Sequence, residues 1–352
     1  MELSLNIEGM AFGGAGVGRL PDGRVCFVPF TLPGERALVR VAREKKSFLE
    51  AELIRLLEVS VERIVPRCPI FGKCGGCAYQ HVPYPRQLEI KREQIRELLR
   101  RVGGFSDPDV RATLPSPSEW SYRNRISVHV QNGQVGFHGR KTHRIVPASN
   151  CPIAAPVVND QLATLSKTPP RQDQRITLRE RSDYHGFSQV NPGAAEVLAH
   201  VVTEMLAEGN GLLVDAYCGA GFFAKKLAPH FERILGIEWS AGAVRAAKAT
   251  ASEKESYLAG SVETHLAQAL ESSLPETISL LLDPPAEGLS SEVIRIIGDR
   301  LPAEIVYVSC DPSTLARDLK RLGGWYSLER VQPVDLFPQT AEVETAAKLR
   351  RR

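Results

Sequence analysis

The pattern of hydrophobic and polar residues changes along the chain and divides it into three stretches. Residues 1–57 carry short alternating segments broken by glycines and turn residues, a pattern typical of a small β-barrel. In the last stretch, apolar runs of five or six residues alternate with helical segments, which predicts a parallel α/β sheet. We therefore predict three domains, at residues 1–57, 58–190 and 191–352.

Four apolar runs are the candidate strands of the C-terminal sheet, and they span residues 211–215, 233–238, 278–283 and 305–309. Each run is followed by a glycine, a proline or a capping residue and then by a helical segment. Ligands of open parallel sheets bind at the carboxyl ends of the strands. Residues at these four ends are therefore the first candidates for chemistry.

The middle stretch predicts one helix and one hairpin. Leu88, Ile95 and Leu99 recur at helical spacing within residues 85–102, and basic residues cover the rest of this helix. That basic face either contacts phosphate or is simply solvated. Asn132-Gly133 between two alternating segments predicts a β-hairpin.

Aromatic and basic side chains flank this hairpin, and such side chains can stack on RNA bases and neutralise phosphates. The candidate RNA-binding residues are Tyr122, Arg123, Arg125 and Arg140.

Composition narrows the class of protein. The chain has 352 residues, of which 43% are hydrophobic and 24% are charged, as in ordinary globular proteins. There is no apolar run of about 18 residues and no signal-peptide pattern at the start, so we expect no membrane span. Seven cysteines, an odd number, argue against a secreted disulfide framework. We expect a monomer in the cytoplasm.

The net charge of +3 hides an uneven distribution. Residues 61–150 contain 15 basic and 7 acidic side chains, whereas residues 191–352 contain 16 basic and 22 acidic ones. A basic middle beside an acidic C-terminal part suggests that a polyanion contacts the middle stretch. A solvated basic face without a partner is the alternative.

Four cysteines have the spacing of a metal or cluster site. Cys68, Cys74 and Cys77 lie within ten residues, with two glycines between the last two, and Cys151 lies far downstream. Four thiolates suit a [4Fe–4S] cluster or a structural Zn²⁺ ion. A set of buried free cysteines is the remaining interpretation.

The turn after the first C-terminal strand has the features of a cofactor site. Asp215-Ala216-Tyr217-Cys218-Gly219-Ala220-Gly221 places glycines where a strand meets a helix, so the backbone can approach a ligand there. The spacing fits S-adenosylmethionine better than a dinucleotide. Glu238, at the end of the second strand, can bind both hydroxyls of a ribose, and Asp283 ends a further strand at the same edge.

Cys310 follows the last predicted strand and precedes Asp311-Pro312, which is a position suited to a nucleophile. A lone cysteine is more often a small core residue, and this remains the alternative on pattern alone. Glu342 and Glu344 lie two residues apart and would face the same side of a strand. Taken alone, both could be solvated charges.

Together and in this order, these motifs resemble the RNA uracil-5 methyltransferase family, in particular its 23S ribosomal RNA branch. Residues 1–57 resemble a TRAM domain, an OB-like RNA-binding barrel, and the C-terminal stretch resembles a Rossmann-like S-adenosylmethionine-dependent methyltransferase domain. The resemblance implies that Cys68, Cys74, Cys77 and Cys151 bind a [4Fe–4S] cluster, with Zn²⁺ as the minor alternative. The small central domain would carry this cluster.

The resemblance also implies the roles of the site residues. Phe187-Ser188-Gln189-Val190-Asn191 is similar to a segment whose glutamine reaches the cofactor, and Cys310 and Glu344 match the nucleophile and general-base motifs. The thiolate of Cys310 would add to C6 of a flipped-out uracil, C5 would take the methyl group, and Glu344 would remove the C5 proton. Tyr217, Gly219 and Gly221 would contact S-adenosylmethionine. The expected substrate is RNA, with ribosomal RNA favoured over transfer RNA.

Three positions depart from the family's usual pattern. Ala286 follows Asp-Pro-Pro where arginine is usual, Ser261 follows glycine where aspartate is usual, and Glu342 stands where histidine is common. These departures keep open a second hypothesis, a catalytically degenerate RNA-binding protein of the same fold. An RNA cytosine-5 methyltransferase would have proline before the nucleophile, whereas Ser309 precedes Cys310.

Overall fold

The structure is a computed structural model, and it describes residues 1–180, 189–207 and 211–352. The chain forms two compact units. The first unit comprises Met1–Gln94, the stretch from Pro117 to the end of the second sheet, and the loop Phe337–Glu342. The second unit carries the third sheet and its helices.

The first unit begins with a six-stranded sheet. Its strands are β1 (Glu2–Asn6), β2 (Gly9–Ala11), β3 (Ala15–Arg19), β4 (Val25–Pro29), β5 (Arg36–Glu44) and β6 (Phe48–Glu58). They pair in the order β1-β5-β6-β4-β3-β2, with only β4 and β6 parallel. Alternate residues, among them Leu5, Val28 and Val39, form a buried core because successive strand side chains point to opposite faces. The predicted strand-rich N-terminal barrel is confirmed.

Helix α1 (Tyr84–Leu98) continues into a π-helical turn, Leu99–Gly103, and ends at Gly104 in the left-handed conformation. The predicted helix at 85–102 is therefore confirmed. Its basic face is not fully solvated, because Lys91 is completely buried and its Nζ donates to the Phe337 carbonyl at 3.2 Å. Gln87, on the same face, exchanges two hydrogen bonds of 3.0 Å with Gln339.

The second sheet of the first unit is antiparallel, with the order β10-β7-β8-β9. Its strands are β7 (Arg125–Gln131), β8 (Gln134–His138), β9 (Ile145–Pro147) and β10 (Gln174–Arg179). Between β7 and β8, Asn132 and Gly133 both have positive φ, the conformation that a two-residue hairpin turn requires. The predicted hairpin is confirmed. Helix α2 (Pro156–Lys167) packs Val158 and Leu162 into the core of this sheet.

The second unit is built on a seven-stranded sheet with the order β13-β12-β11-β14-β15-β17-β16. Its strands are β11 (Leu212–Ala216), β12 (Arg233–Glu238), β13 (Glu255–Ala259), β14 (Ile278–Leu282), β15 (Glu304–Ser309), β16 (Tyr326–Val334) and β17 (Glu344–Arg351). The first five strands in the order are parallel, and β17 pairs antiparallel with both of its neighbours, β15 and β16. All four predicted strands are present.

In the described part of the unit, one helix precedes β11, and five helices and one 3₁₀ turn, Pro275–Thr277, connect the strands that follow. The helices are α3 (Pro192–Leu206), α4 (Phe222–Leu227), α5 (Ala241–Lys248), α6 (Val262–Glu271), α7 (Ser291–Arg300) and α8 (Pro312–Leu322). Strands β11, β14 and β15 are buried at every position, which explains their continuous apolar sequences.

The strand order reverses at β11, whose neighbours are β12 on one side and β14 on the other. A crevice for ligands opens at the carboxyl ends of the strands at such a switch point. The predicted Rossmann-like fold is confirmed, and it places the candidate site at this edge. None of the helices in the described ranges combines the length and the apolar character needed to cross a membrane.

Candidate active site

A cavity of about 880 Å³ opens at the carboxyl edge of the third sheet. Its volume lies in the range of small-molecule binding sites. The cavity brings together seven of the residues predicted from the sequence: Gln189, Tyr217, Gly219, Glu238, Asp283, Cys310 and Glu344. Phe187 and Ser188, from the segment around Gln189, lie outside the described residues.

The turn between β11 and α4 forms one wall of the cavity. The N–H groups of Tyr217 and Cys218 both donate to the Ile237 carbonyl, so the turn is tied to β12. Tyr217 and Gly219 have φ values of 68° and 54°, in the left-handed region. A tight turn of this kind exposes backbone N–H groups toward the crevice. Gly221 does not line the cavity; a Cβ there would lie 2.5 Å from the Tyr257 hydroxyl.

Glu238 connects this turn to the end of β12. One carboxylate oxygen accepts from the Gly219 N–H at 3.1 Å, and the other accepts from the Ser240 N–H at 2.8 Å. Each carboxylate oxygen has a second lone pair, so the side chain is held in place and can still accept from a ligand hydroxyl. This geometry fits the predicted ribose contact.

Two further carboxyl groups lie at this edge. Asp215, at the end of β11, is completely buried, and its pKa is raised well above the usual range by burial and by the nearby Asp283 and Glu238. Burial raises the pKa of Asp283 to about 7. Such a group of carboxyls favours a positively charged ligand, because a cation stabilises the ionised forms. The sulfonium and amino groups of S-adenosylmethionine meet that requirement.

The register of two antiparallel strands determines the positions of Cys310 and Glu344. Ser309 of β15 pairs with Thr345 of β17, so the next residues outward are Cys310 and Glu344. Cys310 is exposed in the cavity, whereas Glu344 is only 9% exposed. The pKa of the Cys310 thiol is raised to about 11, first by desolvation and then by the charges of Glu344 and Asp283.

Asp311 fixes the backbone just after Cys310. Its carboxylate accepts from the N–H groups of Ser313 and Thr314 at 2.7 and 3.1 Å and thereby caps α8. Asn191 does the same for α3, and its Nδ2 also donates to Ser116 Oγ and to the Leu336 carbonyl at 3.0 Å. The Asn191 contacts bridge residues far apart in sequence, so the sequence carried no signal for them.

Two of the departures lie near this cavity. Ser261 lines it, but its hydroxyl caps α6 by accepting from the Thr264 N–H at 3.3 Å. Near Ala286, the Arg317 guanidinium donates to the Glu287 carbonyl at 2.7 Å and pairs with Asp318 at 2.9 Å. Arg317 thus supports the loop after Asp-Pro-Pro but does not line the cavity.

The four predicted cluster ligands lie in the first unit and interact with one another. Burial raises the pKa values of Cys74, Cys77 and Cys151, and neighbouring thiols of the same set raise them further. Gln80 is buried, and its Oε1 accepts from the Cys68 N–H at 2.9 Å. Among the described residues, however, no three histidine, cysteine or carboxylate side chains are arranged to hold a metal ion. The geometry therefore does not support the metal-site prediction.

Two of the four candidate RNA-binding residues are engaged within the first unit. Tyr122 is only 6% exposed, and its hydroxyl donates to the Pro338 carbonyl at 2.9 Å. Arg123 pairs with Glu342 at 3.5 Å and lies over the Phe337 ring at 5.6 Å. Both side chains therefore stabilise the loop Phe337–Glu342, and the Tyr122 ring is not available for stacking in this conformation.

The other two candidates are partly exposed. Arg140 lies over the Phe30 ring at 5.1 Å. Arg125 of β7 is directly opposite Arg179 of β10, and burial together with this like charge lowers the pKa of Arg125. Like charges directly opposite on neighbouring strands are unfavourable. Arg179 could not be predicted from the sequence, because its pairing with Arg125 depends on the strand register.

Comparison with known proteins agrees with the fold and the cavity described above. The family model of tRNA (uracil-5-)-methyltransferase matches residues 155–257 and 268–352, more than half of the chain. The chain belongs to the tRNA (uracil-5-)-methyltransferase family. The TRAM model matches residues 2–54, which lie in the six-stranded sheet. The family predicted from the sequence is confirmed.

Proteins with similar sequences match this chain over almost its whole length. An uncharacterized RNA methyltransferase of Bdellovibrio bacteriovorus is 33% identical, covering 99% of this chain and 95% of the relative. One of Synechocystis is 32% identical, with the same two coverages. A crystal structure of Pyrococcus abyssi tRNA (uracil-54, C5)-methyltransferase with S-adenosyl-L-homocysteine has a TM-score of 0.74 and 25% identity. That alignment covers 98% of this chain and 99% of the archaeal enzyme.

Proposed function

We propose that this protein transfers a methyl group from S-adenosylmethionine to C5 of a specific uridine in RNA. The observation that carries the proposal is the pairing of β15 with β17, because it brings Cys310 and Glu344 to one cavity. A nucleophile and a carboxylate base beside one substrate are the two groups that substitution at C5 needs. Membership of the uracil-5 family supports the same reaction.

The residues act in sequence on the uracil. C5 of uracil is a weak nucleophile, so the Cys310 thiolate first adds to C6, and the electron pair of the C5–C6 double bond moves toward C5. S-adenosylmethionine, when bound, would supply an electrophilic methyl group to C5, and its methyl–sulfur bond would break to leave S-adenosylhomocysteine. Glu344 then takes the C5 proton, the C5–C6 double bond re-forms, and the Cys310–C6 bond breaks. Thiolate and methylated base are both released.

The first step requires an ionised thiol, and the surrounding carboxyls oppose this. With a pKa of about 11, Cys310 is protonated at neutral pH in the free protein. A positive charge in the same cavity favours the thiolate, because it offsets the charges of Glu344 and Asp283. S-adenosylmethionine carries such a charge, and S-adenosylhomocysteine does not. Cys310 therefore becomes reactive chiefly when the methyl donor is present.

For the cofactor, we propose contacts from Gln189, Tyr217, Gly219, Glu238 and Asp283. Glu238 is held by two backbone N–H groups and takes the ribose hydroxyls. Asp215 and Gly221 act from beneath the cavity: Asp215 as a buried carboxyl group, and Gly221 by leaving room for Tyr257.

For the substrate, we propose RNA held by the basic middle stretch, with 23S ribosomal RNA favoured over transfer RNA. Arg125 and Arg140 are partly exposed and Arg179 is exposed, so their guanidinium groups can contact the phosphates of an RNA. The preference for ribosomal RNA rests on the joint presence of a TRAM domain and the four cysteines. Because the archaeal relative acts on transfer RNA, both substrates belong in the test. We also propose that the chain is divided into three domains, at residues 1–57, 58–190 and 191–352.

We keep a [4Fe–4S] cluster as the proposed ligand of Cys68, Cys74, Cys77 and Cys151, with Zn²⁺ as the alternative. The spacing of the four cysteines along the chain, which resembles that of the family's cluster ligands, is the reason for preferring the cluster to zinc. The electrostatic interactions among the thiols support one shared ligand. Methyl transfer has no redox step, so the cluster's role is structural.

The function is tested by trapping the covalent intermediate. Glu344→Gln, incubated with S-adenosylmethionine and unmodified RNA, should accumulate a protein–RNA complex that survives denaturing electrophoresis, because the C5 proton cannot leave. Glu342→Gln is the matched control, since it removes a carboxylate two residues away and should turn over without trapping. Adding Cys310→Ala to Glu344→Gln should abolish the complex. A complex that persists without Cys310 would contradict the proposal.

The departures at Ala286 and Ser261 favour a second candidate, an RNA-binding protein without catalysis. The retention of both Cys310 and Glu344 in strand register argues against it. The trapping experiment separates the two candidates. A degenerate protein would bind ribosomal or transfer RNA, but it would form no covalent protein–RNA complex and would transfer no methyl groups to the RNA.

A further inference from the structure

One face of the antiparallel sheet β10-β7-β8-β9 lies away from the core of that sheet. The other face packs Ile126, Val128 and Leu178 into the core beneath α2. Successive strand residues point to opposite faces, so the odd-numbered residues of β7 and β10 share the side away from this core. We call this side the open face; its main residues are Arg125, Ser127, His129, Arg175, Thr177 and Arg179, with His138 of β8. The three β10 residues are exposed, and none of the set lines the cavity that contains Cys310.

The open face carries basic residues and no acidic ones. None of the four strands contains aspartate or glutamate. The register places Arg179 opposite Arg125 and Arg175 opposite His129. Arg175 donates to the Ser127 hydroxyl at 3.0 Å, and neither Arg175 nor Arg179 forms an ion pair with another described residue. In the N-terminal barrel, by contrast, five arginines pair with carboxylates. The charges of Arg175 and Arg179 are therefore not balanced by a carboxylate of the described residues.

A cluster of three histidines continues this basic surface at β8. The rings of His129 and His138 stack with their centroids 3.6 Å apart, and His143 meets His138 edge-on at 5.2 Å. Burial lowers the pKa of His129, and the charges of His138, Arg175 and His143 lower it further. The charged neighbours that act on His129 are thus all basic. A neutral imidazole still carries one N–H group, which can donate to a phosphate oxygen.

We propose that the open face binds the phosphate backbone of the RNA substrate, with phosphates held by Arg125, Arg175 and Arg179. This inference rests on the proposed function, because it takes RNA as the partner, and it adds the surface along which the RNA lies. Strands are about 4.8 Å apart and rise about 3.3 Å per residue, so the arginines and the histidine cluster span roughly 13 by 10 Å. This area is large enough for more than one phosphate.

The chemistry of the open face favours RNA over a protein partner. Like charges directly opposite on neighbouring strands repel each other, and an anion between them converts this repulsion into attraction. The hydroxyl oxygens of Ser127 and Thr177 are 3.4 Å apart and can hydrogen-bond a phosphate or a ribose 2′-hydroxyl. On β7 and β10 the open face has no apolar side chain, whereas the core of a protein interface is apolar.

A negative charge introduced at the centre of the open face tests the proposal. Thr177→Glu leaves every basic residue in place but adds a carboxylate between Arg175 and Arg179. Fluorescence anisotropy should show that it binds a labelled 23S ribosomal RNA fragment and transfer RNA at least about fivefold more weakly at 0.1 M salt. Thr164→Glu is the matched control, because Thr164 is exposed on α2, which covers the opposite face. This control should bind RNA like the wild type.

The salt dependence of RNA binding gives a second readout. Each phosphate contact to a single strand contributes about 0.7 to the slope of log affinity against log salt concentration. Arg175→Ala and Arg179→Ala should each lower this slope by about 0.7 and weaken binding about fivefold at 0.1 M salt. Arg175→Lys keeps the charge and should retain the slope. Arg295→Ala is the matched control, because Arg295 pairs with Glu292 on α7 and its loss should leave the slope unchanged.

All variants should bind S-adenosylhomocysteine like the wild type, which shows that they are folded; if Thr177→Glu fails to fold, the salt slopes decide alone. Wild-type RNA affinity in Thr177→Glu, or a wild-type slope in both Arg175→Ala and Arg179→Ala, would overturn the proposal. Equal weakening by Thr177→Glu and Thr164→Glu would also overturn it, because the loss would then follow net charge and not position. Failure of the wild type itself to bind either RNA would instead refute the proposed function.

Discussion

The pKa of Cys310 can be measured by the rate at which the thiol is alkylated. Only the thiolate reacts, so the rate follows its population. A thiol with a pKa of about 11 in place of the ordinary 9.0 reacts roughly 100-fold more slowly at pH 8. Iodoacetamide labelling of the Cys310 peptide, followed by mass spectrometry, should rise about tenfold per pH unit and show no plateau up to about pH 10.

Variants and ligands separate the causes of this shift. Glu344→Gln removes the neighbouring charge and should speed labelling several-fold at pH 8, because part of the raised pKa is due to that carboxylate. S-adenosylmethionine should speed labelling relative to S-adenosylhomocysteine, which lacks the positive charge. Glu342→Gln should leave the rate unchanged. A plateau at or below pH 9, or no effect of Glu344→Gln, would refute the proposed proximity of thiol and carboxylate.

Three further substitutions test the protonation of Asp283, the effect of Ser261 on ligand binding and the role of Cys77. Because burial raises the pKa of Asp283 to about 7, the folded state holds a proton that the unfolded state loses above about pH 4, so stability falls as pH rises through this range. Calorimetry should therefore show that Asp283→Asn raises Tm by a few degrees at pH 8 but leaves it unchanged at pH 4. An equal change in Tm at the two pH values would contradict the raised pKa of Asp283. Ser261→Asp should tighten S-adenosylhomocysteine binding several-fold while still capping α6, because it restores the aspartate that is usual in the family, and weaker binding would contradict this prediction. Cys77→Ser should lose iron, sulfide and visible absorbance after anaerobic purification, whereas Cys26→Ser in the barrel core should keep them; iron retained in full by Cys77→Ser would rule out its role as a ligand.

Local pattern was sufficient to predict the strands that lead to the site. The runs at 233–238 and 305–309 correspond to β12 and β15 because parallel strands buried on both faces need continuous apolar sequence. The hairpin around Asn132-Gly133 followed from turn chemistry in the same way. The end of each such strand marked Glu238 and Cys310 as candidates before the fold was known.

Contacts between distant segments could not be predicted in this way. Lys91 lies on a helix whose basic face was predicted either to contact phosphate or to be solvated, yet it is buried and donates to the carbonyl of Phe337, 246 residues away. Tyr122 was expected to face RNA, but its hydroxyl is used by Pro338, 216 residues away. The pairing of Cys310 with Glu344 similarly depends on the antiparallel register of β15 and β17. Such features need the tertiary structure.

The most direct measurement of the central claim is release of tritium from RNA labelled at uridine C5. Anaerobically prepared protein would be incubated with unmodified 23S ribosomal RNA or transfer RNA, with and without S-adenosylmethionine, alongside Cys310→Ala. We predict release that requires S-adenosylmethionine, is greater with ribosomal RNA and is abolished in Cys310→Ala. No release from either RNA, by protein that still binds RNA and S-adenosylhomocysteine, would contradict uracil-5 methylation and establish the degenerate RNA-binding alternative.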